Sequence, residues 1–227
     1  MYFARMVSIF EKSNLRSIIR LLNVYSLLAL AGIVGPIVLG VADLAAGLSE
    51  PGYNPIRDSI SSLALTPMGW LQTIGFLVIG LLVEVFAAGL LFSIRGGRVF
   101  KFGIAILVWF GFELLLVGAF RTDLVGTPRT IEGTIHSVAA ATVFWFFPVA
   151  CLLIASGLRS STYWKDLFVY TIVTSVLASA FVLVMIWLSV EVSWFGLYER
   201  VLVYNVVIWL EVMAIRLLRL SIRRGHI

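Results

Sequence analysis

Ser59, Ser61 and Ser62 stand in the run Asp-Ser-Ile-Ser-Ser at 58–62, with Asp123 and His136 further along the chain. A hydroxyl nucleophile, an imidazole base and a carboxylate to orient it are the three roles that covalent hydrolysis of an ester or amide requires. No nucleophile-elbow pattern surrounds any of the serines, so local sequence raises none above an ordinary capping residue. A metal would call on His136 with Asp58, Asp123, Glu132 or Glu199. Zinc sites usually draw on several His or Cys ligands, whereas this chain has two histidines, His136 and His226, and one cysteine, Cys151, inside an apolar stretch. Neither a metal, a cofactor nor a disulfide is expected.

A different chemistry comes from Glu84, Glu113 and Glu211, which interrupt long apolar runs. Acids at such depth are candidates for proton or ion relays, which makes a proton-linked transporter one reading of the chain. There is no visible internal repeat and no matched pair of Gly/Pro-broken helices to support it. The simpler reading is hydrogen bonding between helices, with Glu211 snorkelling toward Arg216.

The elements that must position these residues are membrane helices. Of 227 residues, 61% are hydrophobic and 13% charged, and the mean hydropathy is +1.05; a soluble domain is roughly 25% charged. Six apolar runs, at about 22–47, 68–94, 99–120, 132–158, 165–190 and 197–218, are each long enough to span. No alternating strand pattern competes with them, so an all-α bundle of six transmembrane helices in one domain is expected. The first run is longer than a signal-peptide core and no small-x-small cleavage site follows it, so it is expected to stay as an anchor.

Basic residues fall unevenly about these spans. Arg5, Lys12, Arg16, Arg20, Arg95, Arg98, Lys101, Arg159, Lys165, Arg216, Arg219, Arg223 and Arg224 share one side, and only Arg57, Arg121, Arg129 and Arg200 the other. The bias that keeps basic loops cytoplasmic then puts both termini in the cytoplasm, in a plasma membrane. The net charge of +5 describes a rim facing anionic lipid and not a nucleic-acid surface.

The opposite side collects Asp43, Glu50, Asp58, Asp123, Glu132, Glu191 and Glu199 beside its four arginines. Its first loop reads as a turn followed by a short interfacial helix, with Asn54 as N-cap and Pro55 at the first position. Glu132 and His136, four residues apart, share a face at the entrance to the fourth span. Ala31, Gly35, Gly75, Gly80 and Gly89 permit close packing, either within the chain or between copies, and the oligomeric state stays open.

Several of these stretches resemble one family, the membrane proteins grouped as domain of unknown function 998, themselves similar to the Frag, DRAM and Sfk membrane proteins. The likeness rests on Tyr53-Asn-Pro-Ile-Arg-Asp-Ser-Ile-Ser-Ser-Leu, on Gly69-Trp and Gly75-Phe, and on Arg121-Thr-Asp with Gly133-Thr-Ile-His. Leu65-Thr66 departs from it where a glycine is common. The resemblance implies six helices and a shared signature on one face, with no activity attached. The functional expectation is a polar pocket at the extracytoplasmic helix ends. It would be built from Arg57, Asp58, Ser61, Arg121, Asp123, His136, Glu199 and Arg200, and would hold a lipid headgroup or small amphiphile.

Overall fold

The computed structural model describes residues 23–187 and 192–224. Six helices long and apolar enough to cross a membrane run through them: α1 (Val24–Leu48), α2 (Gly69–Ser93), α3 (Arg98–Ala119), α4 (Ile131–Ser160), α5 (Phe168–Met185) and α6 (Phe195–Arg224). Two 3-10 turns, Ser61–Leu65 and Lys165–Leu167, complete the regular structure of the described residues, which is all helical. Arg5, Lys12, Arg16, Arg20, Glu191 and His226 lie outside the described residues, as does the side chain of Arg224.

Each helix packs on the next and α6 returns to α1, so the six close into a ring. The centre is aromatic: Phe110 of α3, Phe147 of α4 and Trp209 of α6 are buried, with successive ring centroids 5.6 Å apart. Outward faces carry exposed Ile74, Leu81, Phe92, Phe102, Trp109, Val173 and Val176. So continuous an apolar exterior has lipid as its solvent. α5 is the least buried of the six spans. Four polar contacts attach it: Trp209 Nε1 donates to Thr171 Oγ1 at 3.1 Å, Ser175 Oγ to the Pro148 carbonyl at 2.7 Å, Asn205 Nδ2 to the Thr174 carbonyl at 3.4 Å, and Tyr198 OH to the Phe181 carbonyl.

Alternation of the helices gathers Arg95, Arg98, Lys101, Arg159, Lys165, Arg216, Arg219 and Arg223 at one end, hereafter the basic end. The connections 49–68 and 120–130 lie at the other, the loop end. Asn54 caps a single helical turn: its Oδ1 accepts from the Ile56 amide at 2.9 Å, its carbonyl accepts from the Arg57 and Asp58 amides at 3.0 and 2.7 Å, and Asp58 Oδ2 accepts from the Asn54 amide at 2.8 Å. Helical hydrogen bonding cannot propagate because the carbonyls of Ile56 and Arg57 and the amide of Ile60 are bonded to α6. The chain returns to helical bonding in the 3-10 turn Ser61–Leu65.

Glycines set how closely the helices approach. A Cβ on Gly80 of α2 would stand 2.8 Å from the Gly111 carbonyl oxygen of α3, and one on Gly111 would stand 2.9 Å from that of Gly80. Gly75 faces Ala42, Gly35 faces Ile79 and Leu82, and Gly89 faces Leu28 and Leu217. These positions serve packing within the chain. Gly80→Val should therefore overpack the α2–α3 crossing and cost about 1–3 kcal/mol. Thermal unfolding in detergent would register the loss, while Gly40→Ala, where a Cβ meets nothing within 4 Å, should leave the midpoint unchanged or raised.

Candidate functional site

A helix exposes unpaired amides at its start and unpaired carbonyls at its end, and near hydrocarbon those groups need protein partners. The first loop meets this need for α6. Leu197 N donates to the Ile56 carbonyl at 2.9 Å and Gly196 N to the Arg57 carbonyl at 3.2 Å. In return Glu199 Oε2 accepts from the Ile60 amide at 2.7 Å. The approach is so close that a side chain at Gly196 would collide with the backbone of Pro55 and Asp58.

Arg200 fastens the same junction. Its Nη1 donates to the carbonyls of Pro55 (2.9 Å), Asp58 (3.2 Å) and Gly196 (3.2 Å), and its Nη2 to Asp43 Oδ1 (2.9 Å) and Tyr53 OH (2.5 Å). The guanidinium lies 5.6 Å from the Tyr53 ring centre. Tyr53 OH in turn donates a hydrogen bond to the Ser59 carbonyl at 3.0 Å. Burial pushes the Tyr53 phenol up to about 12, against the opposing pull of Arg200. Arg57 is exposed and donates through Nε and Nη2 to Asp58 at 2.7 and 2.9 Å. That contact holds the Asp58 carboxyl below the usual carboxylate range, helped by the Asn54 amide and opposed by partial burial.

The second loop caps α4 and α3. Thr130 is the N-cap of α4, its Oγ1 accepting from Gly133 N at 2.9 Å. Asp123 accepts from Thr130 N at 3.0 Å and from Thr130 Oγ1 at 2.7 Å, packed so tightly on Gly133 that no side chain fits there. Glu132 accepts from the Arg121 amide at 2.9 Å. His136, buried, directs Nδ1 to the carbonyls of Val117 (3.1 Å) and Phe120 (2.8 Å) at the end of α3. Since carbonyls only accept, Nδ1 carries a proton, and Nε2 has no hydrogen-bond partner among the described residues. Asp123 and His136 are not bonded to each other. Ser59 Oγ accepts from Ser62 N, and Ser62 Oγ donates to the Ser59 carbonyl, so both close a turn.

Beneath the Ser61–Leu65 turn lies a cleft bounded by α1, α2, α3, α4 and α6. Leu39, Phe76, Ile79, Phe110, Leu114, Val117, Val143 and Val206 line it, and Ser61 and Glu199 supply its polar end. Its empty space comes to about 560 Å³ with the open mouth included, and the centre of a water-sized group can move within about 50 Å³ of it. Ala140 and Phe144 of α4 and Val203 and Val207 of α6 line it while only half-buried, which puts the mouth between those two helices. Ser61 Oγ has no hydrogen-bond partner among the described residues. The structure thus brings Ser61 and Glu199 together, and keeps Arg57, Asp58 and Arg200 in the junction above them. Arg121, Asp123 and His136 stay in the second loop and the top of α4.

Of the deep acids, Glu113 is buried and accepts from Thr142 Oγ1 of α4, and Glu84 is half-buried with its stem packed on Gly111. Glu211 is also half-buried and has no hydrogen-bond partner among the described residues. Among those residues no group of three or more His, Cys, Asp and Glu could hold a metal. Sequence reasoning overlooked Asp43 as the partner of Arg200, Thr130 as a cap, and Gln72, a fully buried amide with neither atom hydrogen-bonded. Gln72 is the chain's single glutamine and stands on the inward stripe of α2, a signal available in the sequence.

Six closely packed apolar helices, capped at one end by polar loops, define an integral multi-pass membrane protein. Residues 33–216 match the family model described as Protein of unknown function (DUF998), and the chain belongs to that family. No curated protein and no solved structure matches it.

The junction has measurable consequences. Arg200→Met strands Asp43 and three carbonyls and should cost about 3–5 kcal/mol, with Arg200→Lys intermediate because an ammonium cannot reach five acceptors. Unfolding in detergent measures both. Tyr53 is held neutral in the folded state, so its contribution is complete below pH 10 and fades as pH rises from 10 toward 12. Stability of the parent should fall across that window, and less steeply in Tyr53→Phe.

Proposed function

We propose that this protein binds a small amphiphile, such as a membrane lipid, in the cleft beneath the Ser61–Leu65 turn. We place that end at the extracytoplasmic face of the plasma membrane and both termini in the cytoplasm. The observation that carries the reading is a hydrocarbon-lined cleft with a free hydroxyl and a carboxylate at one end and a mouth between α4 and α6. An acyl chain entering sideways would exchange lipid neighbours for Leu114, Val143 and Val206 while its polar group met Ser61 and Glu199. The orientation follows from basic residues at the α2–α3 and α4–α5 junctions and the end of α6.

The arginines expected to receive an anionic headgroup are differently employed, Arg200 with five acceptors and Arg57 with Asp58. The polar end of the cleft is therefore Ser61 and Glu199, without a cation. Hydrolysis by a Ser/His/Asp set draws no support from the hydrogen bonds, since Asp123 holds Thr130 and His136 holds the end of α3. Transport through Glu84 and Glu113 lacks a continuous polar path between them and the cleft, whose lining includes neither.

Lipid retained through purification, identified by mass spectrometry, tests the proposal. The parent should carry a bound amphiphile, and Ala140→Phe and Val207→Phe, which push a ring into the cleft from either side of its mouth, should each lose most of it. Equal retention in folded variants would refute the cleft as the binding site.

A further inference from the structure

The polar groups around the cleft narrow the class of amphiphile. Glu199 is the one ionisable side chain in the lining, which contains no Lys or Arg among the described residues. One of its oxygens takes the Ile60 amide, and the other has no hydrogen-bond partner among the described residues. Ser61 Oγ, equally unpartnered, can both donate and accept. With no free cation in the lining, an anionic headgroup would enter the cleft without a counter-charge, whereas a hydroxyl can donate to Glu199 and accept from Ser61 at once.

Gln72 is 0% exposed, and neither Nε2 nor Oε1 has a partner. It is not among the residues that line the cleft and its amide is sealed from the space there, so recognition of a headgroup falls to Ser61 and Glu199.

Resting on the cleft as the binding site, we infer that it selects a single-chain amphiphile with an uncharged, hydroxyl-bearing headgroup, of the monoacylglycerol kind, over anionic lipids. The chain threads the apolar cleft, and the hydroxyls are shared between Ser61 and Glu199. Single-chain selectivity follows from the size of the cleft, whose empty space is about 560 Å³ with the open mouth included.

The test is titration of delipidated protein in nanodiscs with 1-monooleoylglycerol, oleate and oleoyl lysophosphatidate, read by native mass spectrometry. Monooleoylglycerol should bind at least about tenfold tighter than either anion, and Ser61→Ala should weaken it about fivefold while leaving oleate unaffected. That substitution removes no hydrogen bond of the protein, so the variant should unfold no earlier than the parent. If oleate or lysophosphatidate binds as tightly as monooleoylglycerol and Ala140→Phe abolishes all binding, the headgroup inference fails and the cleft stands. If no probe binds, or binding ignores Ala140→Phe, the cleft itself is wrong.

Discussion

The guanidinium of Arg200 donates to a carboxylate of α1, a phenol and two carbonyls of the first loop, and a carbonyl of its own helix. It is buried, with 8% of its side chain exposed. A charge in that position is tolerated only when its donors are satisfied, and Arg alone among side chains offers enough of them in a fixed plane. With the loop tied down, its carbonyls meet the first amides of α6, and the Ser61–Leu65 turn becomes a roof over the cleft. At the loop end, the tie between α1 and α6, the capping of α6 and the polar end of the cavity all pass through that one side chain, while Asn23 and Ser26 at the start of α1 meet Ser221 of α6 at the basic end.

The second loop solves the same problem with different residues. Asp123 reinforces the N-cap of α4, where a negative charge is also favoured by the helix dipole, and His136 satisfies the last carbonyls of α3. A histidine and an aspartate on one face invite a catalytic reading, because their types fit the roles. Their bonding shows why type is insufficient. Each of these side chains is the cheapest available answer to unpaired backbone at a helix end where water is scarce. The stretches that carry the family likeness, Tyr53 to Leu63 and Arg121 to His136, are in large part these two sets of caps.

How far the sequence could be read follows from what kind of force acts at each place. Apolar runs must be helices in lipid, so the six spans were legible to within a few residues at most ends. α6 continues to Arg224 beyond the expected 218 because Arg219 and Arg223 cost nothing at a helix end outside the hydrocarbon. The helix expected from Asn54 stops after one turn because the amides and carbonyls that follow are claimed by residues about 140 positions away, a non-local competition that local propensity does not register. Ser61 and Glu199 were both on the page as candidates, but nothing in their spacing tied them to one cleft. Gln72 escaped notice because a single polar residue in an apolar run reads as tolerated. Its significance comes only from having no partner once the helices are packed.

Asp43 and Arg200 stand 157 residues apart, one on the first described helix and one on the last. As the polypeptide emerges, α1 must enter the bilayer and remain there through the insertion of α2 to α5 before its counter-ion has been synthesised. At elongation rates of about 5–20 residues per second that interval is on the order of ten seconds. For that time Asp43, the loop carbonyls and the flank of α1 are open to whatever else the membrane offers. Assembly of this protein is therefore governed by its final span. The ring is an unclosed arc until α6 arrives.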